Sequence, residues 1–172
     1  MSAELHWVPA DERPDLLAAP VLDAVRGAGE VRVAEIDPGL ADTAEFCEAY
    51  GMPLGTSANC VVVAAKRGGE LSYAACMVPA DRRADVNGVV RRHLGARKTS
   101  FAPMDEATGL TGMEYGGITP LGLPEGWPVL VDEAVAAAAE VVVGSGLRRS
   151  KLLVPGKVLA GLRGAEVLAL TR

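Results

Sequence analysis

The chain has 172 residues, 49% of them hydrophobic and 23% charged, with a net charge of −5. That length suits one domain able to bury a real core, and the balance excludes a disordered chain. No apolar run approaches the ~18–20 residues of a membrane-spanning helix, and the acidic start Met1-Ser2-Ala3-Glu4-Leu5-His6-Trp7 lacks the apolar stretch of a signal peptide.

In chain order, residues 15–28 read as helix from the spacing of Leu16, Leu17, Val21, Leu22 and Val25, with a break at Pro20. Val31–Ile36 alternates and predicts a strand. Asp42 or Thr43 caps a helix through Tyr50, stopped by Gly51-Met52-Pro53. Residues 59–65 form an apolar, β-branched run expected of a strand covered on both faces. Lys66-Arg67-Gly68-Gly69 is a hairpin signal, and residues 70–78 return as the antiparallel partner. Residues 85–94 read as helix, 98–101 as a short strand, and a brief helix starts at Pro103. Strands at 129–131 and 141–143 flank an Ala-rich helix at 133–139. Residues 152–154 are a further strand, Pro155 suits the first position of a helix through Arg163, and 166–170 form a last strand. The whole reads as a single α/β (α+β) domain over 1–172, without regular βαβ alternation, a dinucleotide glycine fingerprint or a Walker lysine.

Cys47, Cys60 and Cys76 are odd in number and widely spaced, which predicts burial as small apolar residues in a reducing cytoplasm. His6 and His93 are the only histidines and lie far from any cysteine pair, so no metal site is expected. Charge is uneven: residues 1–50 hold eleven acids and three bases, residues 51–172 eleven acids and fourteen bases. Two basic groupings, Arg82 to Lys98 and Arg148-Arg149 with Lys151, are either a solvated face or a small patch for phosphates.

The chain is organised around Thr111–Pro124, which holds four glycines and two prolines yet keeps Met113, Tyr115, Ile118, Leu121 and Leu123. Glycines permit positive φ and close approach, and prolines fix φ. A shaped loop with its apolar side chains in the core is expected. It is either a structural turn or, through the amides of its Gly-Gly step, an anion-binding nest.

Gly116-Gly117-Ile118-Thr119-Pro120 resembles the GxxxP loop of the YbaK/EbsC family. That family comprises aminoacyl-tRNA editing domains, including the insertion domain of bacterial prolyl-tRNA synthetases and free-standing relatives. Leu121-Gly122-Leu123-Pro124, then Pro128–Glu133, then Val143-Gly144-Ser145-Gly146 resemble it in the same order, and the similarity runs from about Val31 to Leu170. The resemblance implies a YbaK-like editing-domain fold, a mixed, curved sheet packed by helices, with a pocket between the central strands and the loop.

It further implies an aminoacyl-tRNA deacylase that clears mischarged tRNA in trans. Its partners would be the tRNA acceptor end and, as a further option, a second copy of the chain; no cofactor, metal or membrane is implied. Ester hydrolysis needs a placed water, donors for the oxyanion and a small pocket. The Gly116, Gly117 and Ile118 amides are the candidate donors, with Thr119 and Pro120 shaping the substrate side. Asp132 either orders a water or the substrate amine, or caps the following helix. Ser145, between Gly144 and Gly146, either bonds a ribose hydroxyl or the amino acid, or is a turn serine. Lys151 is placed to meet a phosphate or the ester. One departure stands out: many members carry a lysine near the start of the central strand, where this chain has Asn59 in Ala58-Asn59-Cys60-Val61. An uncharged amide cannot do an ammonium's electrostatic work, although it can hold a water or amine. Asn59 is therefore expected to hydrogen-bond the loop or a pocket water. The competing reading is a catalytically silent module binding an aminoacylated end or a small amino-acid-like ligand.

Overall fold

The computed structural model describes residues 4–172. Met1 to Ala3, the beginning of the acidic N-terminal stretch, lie outside the described residues. Nine strands form two sheets among the described residues. In chain order the strands are β1 (Val8–Pro9), β2 (Arg32–Glu35), β3 (Ala58–Arg67), β4 (Glu70–Pro79), β5 (Lys98–Phe101), β6 (Val129–Asp132), β7 (Val141–Gly144), β8 (Ser150–Val154) and β9 (Ala165–Leu168). The first sheet has the order β1-β2-β8-β7 and is antiparallel throughout. The second has the order β5-β3-β4-β6-β9, antiparallel up to β4 and parallel from β4 through β6 to β9. A bridge between Ser57 and Val142 joins the two sheets where β3 begins. This is a mixed α/β domain, with the expected single curved sheet divided into two.

The hairpin forms where Gly68 and Gly69 supply two consecutive positive φ angles, 57° and 82°, the geometry that matches the twist of paired strands. It sets the β3–β4 register, which pairs Asn59 with Val78 and Arg67 with Glu70. Among the described residues six α-helices pack around the sheets: α1 (Ala19–Arg26), α2 (Thr43–Tyr50), α3 (Arg91–Leu94), α4 (Met104–Thr111), α5 (Glu133–Ala136) and α6 (Gly156–Ala160). Pro20 sits in the first turn of α1 and starts that helix instead of breaking it, because its missing N–H would have had no helical partner there. α3 follows a wider turn at Val86–Val90 whose start is capped by the Asp85 carboxylate. α5 stops well short of residue 139: the Ala138 carbonyl, which would continue it, accepts from Gly156 N–H at 3.0 Å. β8 begins two residues earlier than expected, and this moves Lys151 from a loop into a strand.

The main core lies between the sheets. Val33, Val141, Val143, Leu152 and Val154 of the first sheet meet Met77, Val129 and Val131 of the second, with Val21 and Val25 of α1. Met113 and Leu121 of the organising loop are buried in this core. Fully burying a side chain such as Leu121 contributes about 1.5–3 kcal/mol, so the loop is anchored by its own apolar residues. Tyr115 differs from expectation, being more than half exposed. A second cluster, with Val63, Cys76 and Leu130, covers the opposite face of β3, β4 and β6, and a third packs Phe46 and Cys47 of α2 against Ile36 and Val142. All three cysteines are free, Cys47 and Cys76 being buried and Cys60 partly so. No helix is long and apolar enough to cross a membrane among the described residues.

Candidate functional site

Two glycine turns build the wall of the site. In the organising loop Gly116 adopts φ +77°, a left-handed conformation that a side chain would strain. The next residue closes the turn, since Gly117 N–H donates to Glu114 O at 2.9 Å. The Gly144-Ser145-Gly146 turn then locks onto this loop: Gly146 N–H donates to Gly117 O at 2.7 Å and Glu114 N–H donates to Gly146 O at 2.8 Å. A Cβ at Gly144 would lie 2.5 Å from Gly117 O, and one at Gly117 would lie 2.9 Å from Leu147 N. Both glycines are therefore demanded by backbone packing against backbone, and Gly117 does not need a positive φ.

Arg148 clasps this assembly. Its backbone N–H donates to Glu114 Oε1 at 2.8 Å, and its guanidinium donates to Tyr115 O at 3.1 Å, Pro38 O at 3.2 Å and Asp42 Oδ1 at 3.3 Å. Arg149 turns the other way and donates to Asp15 O. Lys151 points inward. The three basic residues thus form no common patch for phosphates, because strand β8 and the turn before it send them in different directions.

Between these turns, the start of β3 and the N-terminus of α2 lies a cavity of about 320 Å³, at the small end of the range for small-molecule sites. Gly116, Ile118, Gly144, Asn59 and Lys151 line it together, as do Asp42, Thr43, Cys60, Met104 and Tyr115. A larger groove of about 840 Å³, lined by Pro120 and residues 122–128 among others, opens on the far side of the loop. The smaller cavity is the chemically equipped one, since it holds a buried cation, an amide and free backbone donors. Neither Gly116 N–H nor Ile118 N–H has an acceptor among the described residues, and both residues face the cavity. The Gly117 amide, committed to Glu114 O, cannot add a third donor.

Lys151 is 6% exposed, and its Nζ lies 5.5 Å from the centroid of the Phe46 ring. Burial lowers its pKa to about 8; Asp42 and Cys47 oppose that shift and Arg148 adds to it. Asn59 does not bond the organising loop: its Oδ1 accepts the Thr43 hydroxyl at 2.8 Å, tying the start of β3 to α2. Burial raises the Cys60 thiol far above its ordinary value, so it stays protonated and is no thiolate nucleophile.

Several residues singled out in the sequence stand outside this cavity. Asp132 is 1% exposed; its Oδ2 caps α5 by accepting Ala134 N–H at 3.0 Å, and its Oδ1 accepts Leu170 N–H at 2.9 Å. Both oxygens are thus used by backbone, the helix-cap alternative. Ser145 is fully buried, its hydroxyl accepting Leu147 N–H at 3.2 Å and standing 2.6 Å from Ser150 Oγ, as a turn serine does. Thr119 is also fully buried; its hydroxyl has no hydrogen-bond partner among the described residues, while Pro120 faces the larger groove. Gly146 supports the loop from behind. Conversely, Asp42, Thr43, Met104 and Tyr115 reach the cavity although nothing in their spacing marks them: Thr43 looks like a helix start and Tyr115 like a core residue. Among the described residues no His, Cys, Asp and Glu cluster is suited to a metal ion.

Comparison with solved structures places this architecture among known ones. A proposed trans-editing enzyme for prolyl tRNA synthetase superposes with a TM-score of 0.76 at 26% identity, covering 90% of this chain and 96% of that one. The hypothetical protein APE2540 shares the fold with a TM-score of 0.79 at 21% identity, over 89% of this chain and 99% of that one. No curated protein matches the chain. The model of the aminoacyl-tRNA editing domain matches residues 37–162, a span that takes in α2, β3, both glycine turns and Lys151. The chain belongs to the aminoacyl-tRNA editing domain family.

Proposed function

We propose that this protein is a free-standing aminoacyl-tRNA deacylase of the cytoplasm that hydrolyses the ester of a mischarged tRNA at its acceptor end. The observation that carries the reading is the convergence of Gly116 and Ile118, whose amides have no acceptor among the described residues, with Asn59 and Lys151 on one small cavity. The trans-editing role proposed for the structural relative supports the same class of substrate. In this reading the acyl group enters the cavity and its carbonyl oxygen faces the two free amides, which stabilise the oxyanion as water adds. Removing one such donor in other enzymes costs on the order of 2.7–4 kcal/mol of barrier. Asn59, held by Thr43 through its carbonyl, keeps its amide nitrogen to position the attacking water or the substrate amine. Lys151 contributes the positive charge of the site. Asp132, with both oxygens bonded to backbone, takes no direct part in this scheme. The cavity volume favours small acyl groups, so alanyl, seryl and cysteinyl esters are the first candidates.

The test is a deacylation screen over mischarged tRNAs with the purified chain. Release of one small amino acid well above the uncatalysed rate, lost in Asn59→Ala, supports the reading. Tight binding of aminoacylated tRNA without release would instead support the silent module, which the uncharged Asn59 on β3 favours.

A further inference from the structure

A buried ammonium is costly unless something negative meets it. Lys151 is buried on β8, and among the described residues no carboxylate comes within 4.0 Å of its Nζ. Asp42, the carboxylate whose charge acts on Lys151, is drawn to Arg148 at 3.3 Å instead. Phe46 lies beneath the ammonium, and the register partner of Lys151 on β7 is Gly144, which has no side chain to fill the space. The cation therefore faces the cavity without an anion of its own.

We propose that this cavity binds the carboxylate of a small free α-amino acid on Lys151, so that the released product restrains the enzyme. The proposal rests on the deacylase reading for its place in the reaction. In that hydrolysis the water oxygen bonds to the acyl carbon and the ester C–O bond breaks. The ribose oxygen leaves with one of the water's protons, and the new carboxylic acid loses the other to become a carboxylate. The ammonium that faces the ester oxygen before cleavage faces this carboxylate afterwards. Asp42, lining the same cavity, supplies an acid for the amino acid's own ammonium. The titratable groups that act on Lys151 are Asp42 and Cys47 from the α2 side and Arg148 from the turn before β8, and burial outweighs them in setting its pKa at about 8. Carboxylate binding accordingly fades as pH rises above that value.

The whole chain is titrated with alanine, serine, alaninamide and acetate at matched ionic strength, followed by calorimetry and thermal shift. Alanine or serine is expected to bind and to inhibit deacylation, acetate to bind more weakly, and alaninamide, which lacks the carboxylate, to do neither. Affinity is expected to fall about tenfold between pH 7 and pH 9 as the lysine loses its proton, and to vanish in Lys151→Met. Alaninamide binding as well as alanine, no binding by either amino acid, or retention of binding in Lys151→Met overturns the proposal. If Lys151→Met does not fold, the pH series on the native chain decides it, and a flat series overturns it. Amino acid binding without deacylation would sustain the carboxylate site on Lys151 but sink the deacylase reading and the product restraint that rests on it; deacylation untouched by free amino acid would sustain the deacylase reading and overturn this inference.

Discussion

Thr43, the first residue of α2, donates its hydroxyl hydrogen to Asn59 Oδ1 at 2.8 Å across the cavity wall. That bond connects α2, which carries Phe46 and follows Asp42, with the start of β3, and it leaves the two Asn59 amide hydrogens without a protein acceptor among the described residues. Asn59→Ala should cost about 1 kcal/mol of stability, the size of one net hydrogen bond. Hydrolysis should fall further than that, at least tenfold. Urea denaturation alongside single-turnover deacylation measures both, and full activity in the variant would remove Asn59 from the site.

Gly117→Ala should damage the loop itself. The added methyl meets the backbone of Gly146 and Leu147 at 2.9–3.0 Å, and overpacking of this kind costs about 1–3 kcal/mol. The two glycine turns must then separate, so a lower Tm and lost activity should appear together. An unchanged Tm would show that the turns give way more easily than their packing indicates.

Arg148→Gln tests the clasp. The variant loses charge-assisted bonds to Tyr115 O, Pro38 O and Asp42, each worth up to about 1.5–3 kcal/mol in a buried setting and less at this partly exposed one. Deacylation should drop while the slope of tRNA affinity against salt stays nearly constant, because the side chain is committed to the protein. A slope reduced by about one would mark it as a phosphate contact.

Asp132→Asn separates a structural carboxylate from a catalytic one. Replacing an acceptor oxygen by an N–H donor opposes Ala134 N–H or Leu170 N–H, at a cost of about 1–3 kcal/mol. The fraction that folds should keep its kcat and its pH profile. A loss of kcat of a hundredfold in folded protein would restore Asp132 to the chemistry.

Lys151 makes stability depend on pH in a defined direction. Its proton is held less tightly in the folded chain, with a pKa of about 8 against an ordinary 10.5. Between those values the unfolded chain binds more protons, so stability rises with pH across that window, by about 3 kcal/mol at most. Lys151→Met should be more stable than the native chain at neutral pH, and the difference should shrink as pH approaches 10. Urea midpoints for the two proteins across that range check the sign, and a native chain more stable than the variant at neutral pH would contradict it.

The sequence by itself determined the local parts of this protein. The β3–β4 hairpin follows from Gly68-Gly69 between apolar runs, α2 from the spacing of Phe46, Cys47 and Tyr50 and its stop at Gly51 (although Asp42 makes no side-chain cap there), and the shaped loop from its glycines, prolines and buried Met113 and Leu121. These are readable because positive φ, fixed φ and apolar periodicity are properties of neighbours along the chain. The tertiary structure decided which of the polar groups remain for chemistry. Gly117 N–H is taken by Glu114, both Asp132 oxygens by backbone, and Ser145 by its own turn, while Gly116, Ile118 and the Asn59 amide stay open. Lys151 belongs to the same account: two extra residues of strand pairing with β2 and β7 turn it inward, beyond the reach of its basic neighbours. Some of these partners are near in the chain, as Glu114 is to Gly117 and Leu147 to Ser145, but Leu170 lies 38 residues from Asp132 and Thr43 lies 16 from Asn59, and no pattern of neighbouring residues contains those pairings.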